Sequence, residues 1–223
     1  MTLRPLFPHR EFAAFLFDMD GTVLSSIAAA ERVWGRWARR HGLDVEAFLP
    51  TMHGKRAVDT IRRLNLPGVD PEVEADWITK AEIEDVGGVH AIDGAATFLA
   101  ALPPERWTIV TSSPLPLARR RLEAAGLSAP PRMVTAEDIT QGKPAPDCFL
   151  LGAERLGFPA RDCLVFEDAP AGIEAAEAAG AAVVVITATH THPAATAHPA
   201  VPGFDGLRAE TTPSGALQLV AAV

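Results

Sequence analysis

The spacing of apolar residues changes along the chain, and its first clear run predicts a buried strand. Residues Phe15 to Phe17 are apolar without a break, and Asp18 and Asp20 follow at alternate positions. Gly21 permits the sharp turn that the chain needs next. The pattern therefore predicts two carboxylates at the carboxyl end of a strand, where open α/β sheets bind ligands. Solvated acids in an ordinary turn are the alternative interpretation.

The apolar spacing then becomes helical. Apolar residues recur at steps of three and four between Ile27 and Ala38, and further helices are predicted at 57–64 and 72–84 with no convincing strand among them. The glycine-rich segment 86–94 returns the chain from this stretch. We therefore predict a helical cap formed by residues 24–87.

Beyond the predicted cap, strands alternate with helices. Strands are predicted at 107–110, 133–134, 163–166 and 182–186, and helices at 94–102, 114–125, 146–156 and 171–179. Such alternation implies right-handed crossovers and a parallel sheet with helices on both faces. The predicted fold class is α/β, in which a Rossmann-like core of residues 11–23 and 88–223 carries the inserted helical cap.

The segment after Thr187 has no clear period. His190, His192 and His198 occur with several prolines in an Ala/Thr-rich stretch, a composition that is also found in metal-binding tracts. No periodicity fixes the geometry of these histidines, so we predict a loop at 189–203. A final edge strand is predicted at 217–223.

Composition narrows the possible partners and the compartment. The 223 residues are 48% hydrophobic and carry a net charge of -8, which is typical of a globular protein and argues against nucleic acid or an anionic membrane as a partner. No segment is long enough to span a membrane, and the first residues offer no apolar export signal. The two cysteines lack metal-like spacing. We expect a cytoplasmic protein that is a monomer or weak homodimer.

Polar residues also follow the later predicted strands or precede the next helix. Because the carboxyl ends of parallel strands share one edge of a sheet, these residues are expected to converge with the first acidic pair. Each alone has an ordinary structural explanation, such as a helix cap or a loop lysine. The residues predicted to converge are Asp18, Asp20, Thr111, Ser112, Lys143, Glu167 and Asp168.

This set of residues points to phosphoryl chemistry. Four carboxylates at one edge would repel one another unless a divalent cation shared them, and hard oxygen ligands suit Mg²⁺. With Lys143 and two hydroxyl groups opposite, a phosphoryl group would find positive charge on two sides. The sequence therefore predicts a magnesium-dependent site for phosphate esters.

A basic segment of the cap is a second candidate site. His53, Lys55 and Arg56 surround Gly54 at the start of a predicted helix, where backbone N–H groups and positive charge favour an anion. A plain basic turn explains the same residues equally well. We expect these three side chains to contact the substrate.

Four segments, in order, resemble the four motifs of the haloacid dehalogenase superfamily. They are residues 17–22 (FDMDGT), Thr111-Ser112, Gly142-Lys143-Pro144 and Phe166-Glu167-Asp168. The cap resembles that of the β-phosphoglucomutase-like branch. Three segments are similar to those of bacterial sugar phosphatases and of fungal glycerol-phosphate and 2-deoxyglucose-6-phosphate phosphatases, namely residues 37–42, 53–55 and 167–172.

The resemblance implies a role for each matching residue. Asp18 would be the nucleophile that forms an aspartyl phosphate, and Asp20 would be the general acid–base. Thr111, Ser112 through its backbone, and Lys143 would bind the transferring phosphoryl group.

The resemblance also implies a magnesium site. Its ligands would be the Asp18 carboxylate, the backbone carbonyl of Asp20 and Asp168, with Glu167 close by or acting through water.

The predicted function is therefore a magnesium-dependent phosphatase of small sugar or polyol phosphates. The alternatives are a β-phosphoglucomutase-like mutase, for which Arg56 could hold a second phosphate, and a glycerol-3-phosphate or phosphoglycolate phosphatase. A metal-free dehalogenase fits the acidic residues less well, and a silent phosphate-binding protein would not need the full set.

Overall fold

The computed structural model describes residues 3–191 and 196–222. The strands are β1 (Leu3–Pro5), β2 (Ala14–Phe17), β3 (Leu24–Ser25), β4 (His90–Ala91), β5 (Trp107–Ile109), β6 (Cys163–Glu167), β7 (Ala182–Ile186), β8 (Ala200–Val201), β9 (Leu207–Thr211) and β10 (Leu217–Ala222). The helices are α1 (Ile27–Arg40), α2 (Val45–Phe48), α3 (Ala57–Leu64), α4 (Pro71–Glu84), α5 (Ala95–Ala100), α6 (Leu115–Ala124), α7 (Asp147–Leu156) and α8 (Pro170–Ala178). No helix in these ranges is both long and apolar enough to cross a membrane.

The central sheet has five parallel strands in the order β5-β2-β6-β7-β8. Phe17, the last residue of β2, lies opposite Ile109 of β5 and Phe166 of β6. This register brings the residues that follow the three strands to one edge of the sheet. The predicted α/β fold with a Rossmann-like parallel sheet is confirmed.

Alternation along β2 builds a hydrophobic core on both faces of the sheet. Phe15 and Phe17 belong to the cluster on one face, and Ala14 and Leu16 belong to the cluster on the other. All four are fully buried. A strand covered on both faces reads as a continuous apolar run, which is why the sequence pattern located β2 correctly.

The helices between β3 and β4 pack around a core of their own. Trp34, Trp37, Phe48 and Ile78 are members of this third cluster. The predicted helices of this region are present as α1, α3 and α4. β3 and β4 pair with each other in an antiparallel ribbon where the chain enters and leaves these helices. The residue boundaries of the core and the cap stay predictions.

The carboxyl-terminal segment differs from the expectation. The predicted edge strand is present as β10, but it lies in the middle of a separate antiparallel sheet, between β1 and β9. The prediction of an edge position was wrong because β10 pairs with a strand more than 200 residues away, which local spacing does not reveal. The predicted loop at 189–203 contains β8, and the predicted strand at 133–134 is only an isolated bridge between Val134 and Val110.

Candidate active site

Residues from three separate segments meet at the edge of the central sheet. The Nζ atom of Lys143 donates hydrogen bonds to Asp18 Oδ1 at 2.5 Å and to Glu167 Oε1 at 2.7 Å. Asp18 follows β2 and Glu167 ends β6, so the sheet fixes both carboxylates. The three side chains are almost completely buried. The structure therefore brings together three of the residues that the sequence predicted to converge.

Burial and the charges of neighbouring groups shift the pKa values of the residues in this cluster. Burial raises the pKa of Asp18 to about 7, although Lys143 acts in the opposite direction. Burial, Glu167 and Asp18 together raise the pKa of Asp168 well above its usual value. Burial alone would lower the pKa of Lys143, but the carboxylates of Asp18 and Glu167 raise it. Lys143 is thus held as a cation among acids.

The acidic residues fit a divalent cation. Asp18, Glu167 and Asp168 each offer one carboxylate oxygen, and these oxygens lie within 4.8 Å of one another. When all three carboxylates are ionised, they exceed the single positive charge of Lys143 by two negative charges, which a divalent cation would balance. An all-oxygen donor set is the type that Mg²⁺ takes. These three residues would hold the ion.

Hydrogen bonds and close packing fix the carboxylate of Glu167. Its Oε2 accepts hydrogen bonds from the backbone N–H groups of Asp168 at 2.7 Å and Ala169 at 2.8 Å. Gly172 lies so close that an added Cβ atom would stand 1.5 Å from Glu167 Oε1. Glu167 therefore orients the neighbouring groups, and Gly172 leaves the space it needs.

Gly21 likewise leaves space for the side chain of Asp168. Its φ of +99° is in the left-handed region, and an added Cβ atom would stand 2.1 Å from Asp168 Oδ2. Thr22 Oγ1 donates to Asp168 Oδ1 at 3.3 Å. The turn after β2 thus positions the last acid of the cluster.

The side chain of Asp20 points to a different set of partners. Its Oδ1 accepts hydrogen bonds from Ser26 Oγ at 2.6 Å and from the Arg121 guanidinium at 3.0 Å, and its Oδ2 accepts one from Ser113 Oγ at 3.1 Å. The carboxylate of Asp20 does not belong to the acidic group that could hold a metal. The two predicted aspartates therefore occupy distinct environments.

Ser26, Ser113 and Arg121, the partners of Asp20, were not among the site residues predicted from the sequence. Arg121 is only 5% exposed, which is rare for an arginine. It lies four residues after Leu117 and next to Leu122, on the apolar face of α6. This helical position was the available signal, but the run Arg119 to Arg121 resembles a solvated face.

The two hydroxyl residues after β5 have different roles in the fold. Thr111 is buried, and its Oγ1 accepts a hydrogen bond from the backbone N–H of Ser113 at 3.0 Å. Ser112 Oγ donates to the backbone carbonyl of Gly54 at 3.1 Å. Ser112 therefore links the sheet edge to the cap.

A cavity of about 950 Å³ lies between the sheet edge and the helical insertion. His53 and Lys55 line it together with Asp18, Asp20 and Thr111. Burial lowers the pKa values of both His53 and Lys55. Two of the three predicted cap residues therefore face the same space as the predicted nucleophile.

Arg56 does not face that space. Its guanidinium forms a two-point ion pair with Asp59, at 2.6 and 3.1 Å. It also donates to the backbone carbonyls of Ile139 at 3.1 Å and Thr140 at 2.8 Å. The arginine ties the insertion to a loop of the core, and the structure does not bring it to the other predicted site residues.

The described histidines of the carboxyl-terminal segment have separate partners. His190 Nε2 lies 2.8 Å from the backbone carbonyl of Asp168, and His198 Nε2 lies 2.7 Å from Glu177 Oε1. Both line the cavity. His192 lies outside the described residues.

A parallel sheet that presents buried acids and a lysine at one edge, beneath a helical insertion, is the architecture of a capped phosphoryl-transfer enzyme. The chain belongs to the haloacid dehalogenase-like hydrolase family, whose sequence description matches residues 12–180. The predicted family is confirmed, and with it the prediction of an enzyme.

Known proteins resemble the chain over most of its length. It is 43% identical to hexitol phosphatase A of Escherichia coli over 178 residues, covering 78% of this chain and 82% of the relative. It is 34% identical over 204 residues to glycerol-1-phosphate phosphohydrolase 1 of Saccharomyces cerevisiae, covering 85% and 79%. The crystal structure of β-phosphoglucomutase from Clostridium difficile superposes with a TM-score of 0.69 at 20% identity, covering 78% and 84%, and shows a shared fold.

Proposed function

We propose that the protein is a magnesium-dependent phosphatase that hydrolyses small sugar or polyol phosphates through an aspartyl-phosphate intermediate. The observation that carries this proposal is the buried Asp18–Lys143–Glu167 cluster beside Asp168. Asp18 and Asp168 line a cavity that His53 and Lys55 line as well. Similarity to hexitol phosphatase A and to glycerol-1-phosphate phosphohydrolase 1 supports the same reaction class.

In the first step a carboxylate oxygen of Asp18 attacks phosphorus. The bond between phosphorus and the ester oxygen breaks, its electron pair stays on that oxygen, and Asp20 supplies the proton that converts it into an alcohol. In the second step water attacks the phosphorus of the aspartyl phosphate and gives a proton to Asp20. Inorganic phosphate leaves, and the Asp18 carboxylate is restored.

The remaining residues of the edge position and stabilise the transferring group. Lys143, the Thr111 hydroxyl and the Ser112 backbone N–H would contact the phosphoryl oxygens. Asp18, Glu167 and Asp168 would hold Mg²⁺, which supplies positive charge to the transferring phosphoryl group when it is bound. Phosphate monoester hydrolysis is so slow in water that enzymes accelerate it by up to ~10²¹, most of it through positioning and charge.

The cap side of the cavity is suited to bind a leaving group that carries hydroxyl groups. His53 and Lys55 offer hydrogen-bond donors to it, and burial favours the neutral form of His53 by lowering its pKa. A phosphosugar mutase is less well supported, because Arg56, the residue that could hold a second phosphate, is already engaged by Asp59 and two carbonyl groups.

The test is phosphate release from a panel of hexose, hexitol, glycerol and two-carbon phosphates, with and without Mg²⁺. We expect release from at least one sugar or polyol phosphate without a bisphosphate activator. Turnover that depends on a bisphosphate and yields an isomerised phosphosugar would favour the mutase. Preferential hydrolysis of glycerol-3-phosphate or phosphoglycolate would select one of the narrower alternatives, and no release from any ester would refute the proposal.

We further propose that the enzyme acts in the cytoplasm as a monomer or weak homodimer. Cys148 and Cys163 are free and buried. Burial raises the pKa of the Cys148 thiol to about 11 and that of Cys163 to about 12, so both are poor nucleophiles. Structural thiols of this kind are usual in a reducing compartment. With a net charge of -8, neither nucleic acid nor an anionic membrane is proposed as a partner.

A further inference from the structure

Arg121 is the one ionic link between Asp20 and the cap among the described residues. Its Nη1 atom donates to Asp20 Oδ1 at 3.0 Å and to Ser113 Oγ at 3.2 Å, while its Nη2 atom donates to Glu82 Oε1 at 2.9 Å. Asp20 follows the first core strand, whereas Glu82 belongs to α4 of the cap. A single guanidinium therefore joins the two halves of the molecule.

The burial of this link shows that it is built into the fold. Arg121 is 5% exposed and Glu82 is 6% exposed, and α4 packs against α6 around them. A buried charge is costly unless it is paired and hydrogen-bonded. Arg121 satisfies this requirement with two carboxylates and a hydroxyl, so its position is defined by both elements at once.

Asp20 has little freedom while this link is intact. Ser113 holds its second oxygen, and Ser26, which precedes α1 without capping it, holds the first together with Arg121. Two of these contacts depend on the helical insertion: Ser26 directly, and Arg121 through Glu82. The position of the Asp20 carboxylate therefore depends on how the cap packs on the core.

We propose that Arg121 is a positioning residue through which the docked cap, by way of Glu82, sets the Asp20 carboxylate for proton transfer. This inference rests on the proposed function, since it takes Asp20 as the general acid–base. Arg121 acts through Asp20 and does not itself touch the reacting phosphoryl group. A lysine in its place would keep the charge but lose the two-pronged geometry.

The test compares leaving groups. Phosphoryl transfer to Asp18 requires a proton from Asp20 when the leaving group is an alkoxide, but much less so when it is p-nitrophenolate. The ratio kcat/KM reports phosphoryl transfer to Asp18 separately from hydrolysis of the intermediate. We measure kcat/KM for p-nitrophenyl phosphate and for an alkyl phosphate, either glycerol-1-phosphate or the one that ranks first in the panel. The enzymes compared are wild type, Asp20→Asn, Arg121→Gln, Arg121→Lys and Glu82→Gln.

We expect Arg121→Gln to lower kcat/KM for the alkyl phosphate by ~10²-fold and for p-nitrophenyl phosphate by less than ~5-fold. Arg121→Lys should recover less than half of the loss in kcat/KM for the alkyl phosphate, on a logarithmic scale. Glu82→Gln should lower kcat/KM for the alkyl phosphate by ~10-fold and again affect p-nitrophenyl phosphate less. Arg120→Gln is the matched control, because Arg120 lies on the same helix but pairs with the exposed Glu123. It should leave both substrates unchanged.

Equal losses on the two substrates would overturn the proposal, because a merely structural role lowers the amount of active enzyme for both. If Arg121→Gln does not fold, the Arg121→Gln/Glu82→Gln double variant removes one of the two carboxylates left facing each other and is measured instead. Failure of the proposed function would give a different result, because Asp20→Asn itself would then lower kcat/KM equally for the two substrates.

Discussion

The two walls of the central cavity are built in opposite ways. On the sheet side, Asp18 lines the cavity, and hydrogen bonds of 2.5 and 2.7 Å link it through the buried Lys143 to the buried Glu167. On the cap side, the side chains of His53 and Glu31 are 35% and 42% exposed, and their nearest nitrogen and oxygen are 3.8 Å apart. Charged groups are thus tightly fixed on one wall and loosely held on the other.

This difference separates reaction from selection. The sheet wall can support only the geometry that its strands impose, because removing Lys143 would leave the carboxylates of Asp18 and Glu167 buried without their cation. The cap wall has half-exposed side chains that can be exchanged at little cost to folding. We therefore expect substitutions on the two walls to differ in kind, and the following tests address that difference.

The largest effect is expected from Asp18→Asn. Without a nucleophilic carboxylate, kcat should fall by more than ~10⁴-fold, while the circular dichroism spectrum stays that of the wild type. Phosphate release is the measurement. Residual turnover above one per cent of wild type would show that Asp18 is not the nucleophile.

Removal of metal should have the next largest effect. We expect EDTA to lower the rate by ~10³-fold and Mg²⁺ to restore it, because three carboxylates then lose their counter-charge. An enzyme that keeps its rate after exhaustive chelation would contradict the assigned magnesium site.

Metal-free protein should also show a defined pH dependence of stability. The pKa of Asp18 rises from 3.8 to about 7 on folding, so the folded state binds the extra proton between these values. Stability is therefore greatest in the lower part of this window and is lost as the pH rises through about 7. In EDTA, Tm should be lower at pH 8 than at pH 5.5, and Mg²⁺ should raise Tm more at pH 8. Asp18→Asn should reduce both differences.

Matched glycine substitutions compare the packing behind the two walls. At Gly172 an added Cβ atom would stand 1.5 Å from Glu167 Oε1, whereas at Gly35, within α1 of the cap, the nearest atoms are 3.7 Å away. Gly172→Ala should lower kcat by ~10²-fold by displacing Glu167. Gly35→Ala should leave kcat unchanged and stabilise the fold by up to ~1 kcal/mol. Similar effects at both positions on kcat and thermal unfolding would remove the contrast.

The smallest effect on the reaction is expected from Lys55→Ala. It should lower kcat/KM for the preferred sugar or polyol phosphate by ~10-fold and leave activity on p-nitrophenyl phosphate within ~2-fold, because the lysine meets only the leaving group. Arg56→Ala is the comparison from the same segment. Since Arg56 binds the core loop and not the cavity, it should reduce stability without changing the ranking of substrates. Equal losses on both substrates for Lys55→Ala would remove it from substrate selection.

The sheet wall was predictable from sequence because its chemistry follows from topology. Once parallel strands were inferred, the residues after Phe17, Val110 and Phe166 had to share an edge, and Lys143 was identified by its motif. Arg121 and Arg56 show where such reasoning ends. Both are long side chains with several possible partners, and only the packing of α4 against α6, or of the insertion against residues 139–140, selects one. The three-stranded terminal sheet was missed for the same reason, since its strands pair across the whole chain.

The ribbon of β3 and β4 lies where the chain enters and leaves the cap. Leu24 lies opposite Ala91 and Ser25 opposite His90, so the chain departs from the sheet and comes back at adjacent points. The segment between these points can be exchanged without moving the strand ends that carry Asp18 and Glu167, provided that Ser26 and Glu82, which hold Asp20 directly and through Arg121, are kept. A single catalytic platform can in this way acquire new substrates by exchange of one inserted segment, and the ribbon marks where a chimeric enzyme should be joined.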